Sequence, residues 1–511
     1  MTTSAVQTNV SENELASWWK HKSVWIMLFL GFSAGIPILL IFSSLSLWLR
    51  EAGVEKSAVT FFSWAALGYS FKFVWAPLID KLPVPLLSKL LGRRRGWLLL
   101  SQCAVIGSIV LMASVNPQQG LVTMAFAAVL LGFSSATQDV VIDAFRIESA
   151  NPRLQAMLSF TYVAGYRTAM IVAGAGALYL AQYFGSTKDV YSYTAWRDTY
   201  FCMATIMSVG IITTLLISEP EHGQKDDYPH STNDYLSFLM VFLLSIAALV
   251  LVFSLAPSTP AWFSGYAQTL FKFIFSTGVL ALALLSALLI AKLCIKRGLV
   301  NADMVYEGYQ APTLDFFTRY GKLAIWVLLL IGFYRVSDIV MGVITNVFYQ
   351  DMGYSKAEIA SVTKVFGVIM TITGTFLGAL LALRFGVMRT LMLGAILVAL
   401  TNLLFMWLSQ VDSSISNLTL VIIADNLSQG IAIAAFIAWL SSLTNVTFTA
   451  TQYALFSSLM TLFPKLIGGY TGTLVESMGY SNFFLFASLL GLPVIWLIYF
   501  LKGKLELEEQ H

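Results

Sequence analysis

The chain has 511 residues, of which 58% are apolar and only 11% charged, with a mean hydropathy of +0.76. A soluble domain carries roughly a quarter charged residues, so a soluble globular protein is excluded. The net charge of +3 is too small to argue for nucleic acid as a partner.

The apolar residues come in blocks of roughly twenty, the length a helix needs to cross a hydrocarbon core of about 30 Å. A membrane β-barrel would alternate over segments of about ten residues, which this chain does not do. An all-α membrane protein is predicted, because lipid offers the backbone no partners and a helix satisfies its own. Six spans are expected at 22–49, 57–79, 96–115, 119–145, 155–184 and 198–217. A polar, acidic stretch follows, then two spans at 235–256 and 267–295 and a second polar linker to 321. The last six lie at 322–349, 356–384, 388–409, 416–444, 450–476 and 481–501. The expected organisation is about fourteen transmembrane helices in three parts. These are an N-terminal six-helix bundle (1–217), a linker with an extra helical pair (218–321) and a C-terminal six-helix bundle (322–511).

The first block follows Lys20 and Lys22 but is too long for a signal h-region and lacks a small-residue cleavage pattern. It is expected to remain a membrane span. An even number of spans puts both termini on one side, which then holds 19 of the 30 Lys and Arg, against 6 opposite and 5 inside spans. Both termini are therefore expected in the cytoplasm. Cys103, Cys202 and Cys294 fall singly in or at the end of apolar blocks, and the four histidines lie in tails or the central polar loop. No disulfide framework and no metal site is expected.

Two six-span halves point to internal duplication, the common build of secondary transporters. One trace of it is Asp80-Lys81 followed by Gly92-Arg93-Arg94-Arg95, echoed by Gly378 through Arg384, Gly386 and Arg389. Both resemble the loop after the second helix in each half of the major facilitator fold. The first copy carries an insertion and the second lacks the acid. Asp80, Arg93, Arg94 and Arg95, with Arg146, are candidate gating residues.

A charge at the bilayer centre costs at least about 2.5 kcal/mol, so each one inside a span is a functional candidate. The set is Lys72, Asp139, Asp143, Arg167, Arg335, Asp338, Lys364, Asp425 and Lys465. Asp139 and Asp143 share one helix face a turn apart, with Arg146 a turn further on. Two carboxylates so close in low dielectric do not both ionise comfortably, so one is expected to exchange a proton near neutral pH. A structural pair of Asp143 with Arg146 is the alternative, as is a local pair of Arg335 with Asp338. Lys72, Arg167, Lys364 and Lys465 have no acid in their own helix turn, which suits a cavity for an anionic solute. Tyr69, Gln138, Tyr166, Tyr334, Gln429 and Gln452 accompany the charges and suit sugar hydroxyls and peptide amides. Bonds to neighbouring helices are their other reading. Tryptophans near the span ends, Trp18, Trp19 and Trp25 among them, are expected as interface anchors.

No nucleotide-binding GxxxxGK[ST] loop is present, nor a GxSxG or HExxH motif. The soluble segments are too short for a catalytic domain, so a carrier rather than an enzyme is expected.

Ser70-Phe-Lys72-Phe-Val-Trp75-Ala-Pro77-Leu-Ile-Asp80 with Gly92-Arg-Arg-Arg95-Gly-Trp97 resembles the second-helix signature of the AmpG-type muropeptide permeases. Gln138-Asp139-Val-Val-Ile-Asp143, Gly165-Tyr166-Arg167, Tyr334-Arg335-Val-Ser-Asp338, Lys364-Val-Phe-Gly367 and Gln452-Tyr453 follow that family's order. The similarity runs from about residue 25 to 500. It departs at Asp425-Asn426, where relatives have another acidic pair, and at Lys465, which is less constant.

The resemblance implies a major facilitator fold of fourteen helices with the extra pair in the middle. It further implies proton-driven import of N-acetylglucosaminyl-1,6-anhydro-N-acetylmuramyl peptides across the bacterial inner membrane for peptidoglycan recycling, which feeds β-lactamase induction. On this reading Asp139 and Asp143 couple protons. Lys72, Tyr69, Gln138, Tyr166, Arg167, Tyr334, Arg335, Asp338, Lys364, Asp425, Gln429, Gln452 and Lys465 meet the substrate. No cofactor is needed, membrane lipid is the surrounding partner, and a monomer is expected. The related acetyl-coenzyme A transporters are the competing branch.

Overall fold

Every regular element among the described residues of the computed structural model is helical; these residues are 18–54, 67–151, 154–186, 190–220, 230–257, 265–468 and 471–508. The first six-helix segment comprises α1 (Lys22–Glu51), a second span broken into α2 (Leu67–Phe71) and α3 (Ala76–Lys81), α4 (Arg93–Ala113), α5 (Leu121–Glu148), α6 (Gln155–Tyr183) and α7 (Tyr193–Leu216). The inserted pair is α8 (Thr232–Ser254) and α9 (Gly265–Lys296), followed by the short α10 (Ala311–Tyr320). The second segment comprises α11 (Ala324–Phe333), α12 (Val336–Asp351), α13 (Gly367–Phe385), α14 (Val387–Leu408), α15 (Ile415–Leu443), α16 (Thr449–Gly468), α17 (Thr471–Leu489) and α18 (Gly491–Glu508).

Among the described residues, 12 helices are long and apolar enough to cross a membrane. Neither the span read at 57–79, described only from Leu67, nor the one at 450–476, present as α16, is among them. The expected count of fourteen therefore rests on the sequence pattern.

The chain divides into two compact units. One contains both six-helix segments; the other is Asp80–Pro83 with Asp226–Arg319. In the smaller unit, Ser231 and Asp234 form a reciprocal capping box at the start of α8. Phe238 meets the Tyr309 ring and Lys81 pairs with Glu307 at 2.9 Å. Leu243, Leu251, Leu285 and Leu288 are exposed, as lipid-facing positions of a membrane hairpin are.

Glycine sets the closest approaches in the larger unit. A β-carbon on Gly165 of α6 would lie 2.0 Å from the Leu28 carbonyl of α1, and one on Gly430 of α15 would lie 2.4 Å from the Thr371 carbonyl of α13. Without a packing force from water, membrane helices associate through such small-residue contacts. These two pairs fix the depth of Tyr166–Arg167 and of Asp425–Gln429.

Spans read as continuous are interrupted where the charges sit. Lys72 begins a 3₁₀ turn, Lys72–Val74, between α2 and α3. Pro77 contributes, since its ring excludes a helical bond to the carbonyl four residues back. Arg335 stands at the break between α11 and α12 with non-helical backbone angles. Lys364 lies in a π turn, Ala360–Phe366. Such irregular backbone at membrane depth is tolerated where protein or water meets it.

Candidate functional site

Two clusters of charge occupy the larger unit. In the first, Lys72 Nζ lies 3.7 Å from Asp143 Oδ2, and Arg146 Nη2 lies 3.4 Å from Asp143 Oδ1. One carboxylate is thus shared by two cations. Asp139, a turn deeper in α5, is 8% exposed and within electrostatic reach of Lys72 and Asp143. Its Oδ1 has no hydrogen-bond partner among the described residues. Tyr69, Tyr162 and Tyr166 surround it electrostatically, and the Tyr69 hydroxyl donates to Ser135 at 2.7 Å.

The second cluster belongs mainly to the other segment. Arg335 and Asp338 form the local ion pair, with Arg335 Nε 3.1 Å from Asp338 Oδ2. Arg167 of α6 is within electrostatic reach of both, so the halves present two guanidinium groups to a shared carboxylate. Asp425, 6% exposed, accepts from Gln429 Nε2 at 2.8 Å and from the Thr401 hydroxyl. A cavity of about 20 Å³, room for one water, is lined by Arg335, Asp338, Gln429 and Ser337 among others.

At the end of the bundle that the Lys and Arg count assigns to the cytoplasm, the two segments are closed on each other. Arg146, 0% exposed, donates through Nη1 to Gln155 (3.1 Å), Ser159 (3.3 Å) and Ser441 of α15 (2.8 Å). Its guanidinium also lies over the Tyr453 ring of α16, 5.1 Å from the centroid. Beside it an alanine-rich seam joins Ala156 and Met157 of α6 to Ala379 and Ala382 of α13 and Ala438 of α15. Below the seam opens a recess of about 730 Å³ bordered by Lys22, Asn151, Glu219 and Thr444.

The loop arginines hold the first segment together. Arg94 and Glu148 form a buried pair, each side chain 1% exposed, with Nη2 2.6 Å from Oε1. The Glu219 carboxylate accepts the backbone N–H groups of Arg94 (2.7 Å) and Arg95 (3.0 Å), capping α4. Arg95 in turn donates to the Thr214 and Leu215 carbonyls at the end of α7. Gly92 is required here: its φ is +96° and a β-carbon would lie 2.4 Å from Glu219 Cδ. Burial pushes the Glu219 carboxyl above its ordinary value, opposed by the two amides and Arg94. Arg93 is half-buried, and Asp80 is buried at the end of α3.

Three residues expected at the substrate are used elsewhere. Gln138 is fully buried and donates to Ser33 of α1 at 3.0 Å; the Tyr334 hydroxyl donates to the Leu391 carbonyl with its ring stacked on Phe436; Gln452 accepts the Asn445 backbone N–H. Each bonds a neighbouring helix or turn. The side chains of Lys364 and Lys465 lie outside the described ones. Gln155, Ser441, Glu148 and Glu219 were not singled out by sequence, and Trp18 turns inward rather than anchoring at the surface. Among the described residues no three His, Cys, Asp or Glu come together to hold a metal.

The family model described as acetyl-coenzyme A transporter 1 matches residues 23–138. A Rickettsia conorii protein named putative transporter AmpG 4 is 30% identical over 485 residues, covering 95% of this chain and 98% of its own length. The chain belongs to the AmpG transporter family. The anhydromuropeptide permease of Escherichia coli K12 is 29% identical over 483 residues, covering 94% of this chain and 80% of that one. Among solved structures, the proton:xylose symporter XylE superposes with a TM-score of 0.60 at 12% identity, over 93% of this chain and 94% of that one. A POT family transporter in complex with a thioalcohol-conjugated peptide gives 0.57 at 14% identity, over 94% and 96%. At such identities the likeness is one of fold, and the fold is that of the major facilitator transporters. This AmpG-family chain is accordingly a multi-pass membrane transporter of a small-molecule substrate, and not an enzyme.

Proposed function

We propose that this transporter imports anhydro-muropeptides across the bacterial inner membrane with protons, by alternating access, with both termini in the cytoplasm. The substrate follows the printed name of the Escherichia coli relative. Proton coupling is supported above all by Asp139, a buried carboxylate with one oxygen unbonded, beside the charge pair of Lys72 and Asp143. A proton taken up there would change the balance that keeps Lys72 and Arg146 on Asp143. The peptide carboxylates would meet Arg167 and Arg335, with Lys72, Lys364 and Lys465 adding positive charge, while Tyr69, Tyr166, Asp338, Asp425 and Gln429 supply hydrogen bonds to sugar and amide groups. Arg146 and the alanine-rich seam are the closed gate, and the two six-helix segments, treated as moving bodies on either side of the inserted pair, rock about it.

Uptake of labelled anhydro-muropeptide into vesicles, with and without an imposed pH gradient, tests the reading. Accumulation is expected to follow the gradient in the parent and to be lost in Asp139→Asn with protein still in the membrane; accumulation indifferent to the gradient refutes coupling. The match of residues 23–138 to the acetyl-coenzyme A transporter model favours a second reading, a nucleotide thioester carrier. Competition between anhydro-muropeptide and acetyl-coenzyme A for the reconstituted protein separates the two.

A further inference from the structure

Three tryptophans cluster at the start of α1, and they do different things. Trp19 and Trp25 are 50% and 51% exposed, as interface anchors are. Trp18 is half-buried and turned the other way. Its ring centroid lies 6.3 Å from that of Phe160 on α6 and 6.0 Å from that of Phe376 on α13. Phe160 and Phe376 are themselves 5.0 Å apart, so the three rings form one stack spanning both six-helix segments. The stack caps the alanine-rich seam of Ala156, Met157, Ala379, Ala382 and Ala438. The turn carrying Trp18 is held in place: the Trp25 indole N–H donates to the Trp19 carbonyl at 2.8 Å, and the His21 N–H donates to the Trp18 carbonyl at 3.2 Å.

We propose that Trp18 is a latch for the gate: a ring borne outside the helical bundle that wedges against both halves and holds this end shut. The seam beneath it is made of methyl groups, which give little adhesion for their area, whereas aromatic rings in edge-on or tilted contact add attraction beyond the area they bury. When the halves part, Phe160 and Phe376 separate and Trp18 keeps at most one of its two ring contacts. Its stabilisation is therefore larger in the closed arrangement, which is the condition for shifting an equilibrium. The latch rests on the alternating-access reading above, and it adds a gate element that no charged residue supplies.

Thiol accessibility tests it. Ala379, fully buried in the seam, is replaced by cysteine in protein whose Cys103, Cys202 and Cys294 are serine, and its reaction with N-ethylmaleimide is timed in detergent. Trp18→Ala is expected to speed the reaction by about three- to tenfold, the range a pair of aromatic contacts commands, and Trp18→Phe by less. Phe376→Ala, which removes the opposite wall, is expected to match Trp18→Ala. A second cysteine at Ala434, buried inside α15 of one half, is expected to stay unreactive throughout. Equal rates at residue 379 in parent and Trp18→Ala, in protein whose rate responds to added anhydro-muropeptide, overturn the latch while leaving the rocking gate. No reaction at 379 under any condition overturns both, and a parallel rise at 434 overturns the latch by showing general loosening.

Discussion

Arg146 reaches across to the other half through two contacts, the Ser441 hydroxyl at 2.8 Å and the Tyr453 ring. Ser441→Ala deletes the first while leaving Asp143, Gln155 and Ser159 on the same guanidinium. The serine's own hydrogen bond goes to the Ile437 carbonyl four residues back in its helix, so its loss strands no distant group. A hydrogen bond to a charged partner is worth about 1.5–3 kcal/mol, and Arg146 and Ser441 are both buried, so solvent does not discount it. The bond exists only in the closed arrangement. At about 1.4 kcal/mol per factor of ten, its removal is expected to raise the open fraction roughly tenfold or more relative to the closed one. Spin labels at Asn151 and Arg389, exposed loop positions on the two halves, would report this by pulsed electron resonance as growth of a longer-distance component. Ser441→Thr, which keeps the hydroxyl, should restore the parent distribution. Identical distributions in parent and Ser441→Ala would refute the account of Arg146 as a cross-half tie.

Breaking the Arg94–Glu148 pair by Glu148→Gln leaves a guanidinium buried without its counter-charge, a loss of about 3–5 kcal/mol. Thermal unfolding in detergent should show it, and replacing both residues by methionine should recover most of the loss; a double variant no better than the single one contradicts this. Glu219 gives a pH signature. Its folded value lies above the ordinary carboxyl value of about 4.3, so its contribution is full below that value and declines as pH rises through the raised one. The melting-temperature advantage of the parent over Glu219→Gln should therefore shrink from pH 4 to 7, and an advantage that grows would mean the ionised cap outweighs burial.

The helical class and the order of the segments were legible because a bilayer demands uninterrupted apolar length, and length is plain in a sequence. The pairing of Asp143 with Arg146 and of Arg335 with Asp338 was legible for a related reason, since three residues of spacing puts side chains on one face. What hydrophobicity could not reveal was which way a polar side chain turns in a span that is apolar all round. Gln138 and Tyr334 carry the same chemistry whether they meet a solute or a neighbouring helix, and only packing assigned them to Ser33 and the Leu391 carbonyl. Glu148 and Glu219 looked like ordinary acids at span ends, because their partners Arg94 and Arg95 lie 54 and 124 residues away. The breaks at Lys72 and Arg335 were hidden as well: proline hinted at the first, and nothing local marked the second.

Asp143 stands alone between Lys72 and Arg146, 3.7 Å from one and 3.4 Å from the other. Cancel its charge, and what remains is a lysine and an arginine facing each other in a medium too poor in water to shield them. Mutual repulsion would then act on the broken second span and on the tip of α5 together, so a single oxygen pair decides whether that corner of the molecule coheres or springs apart.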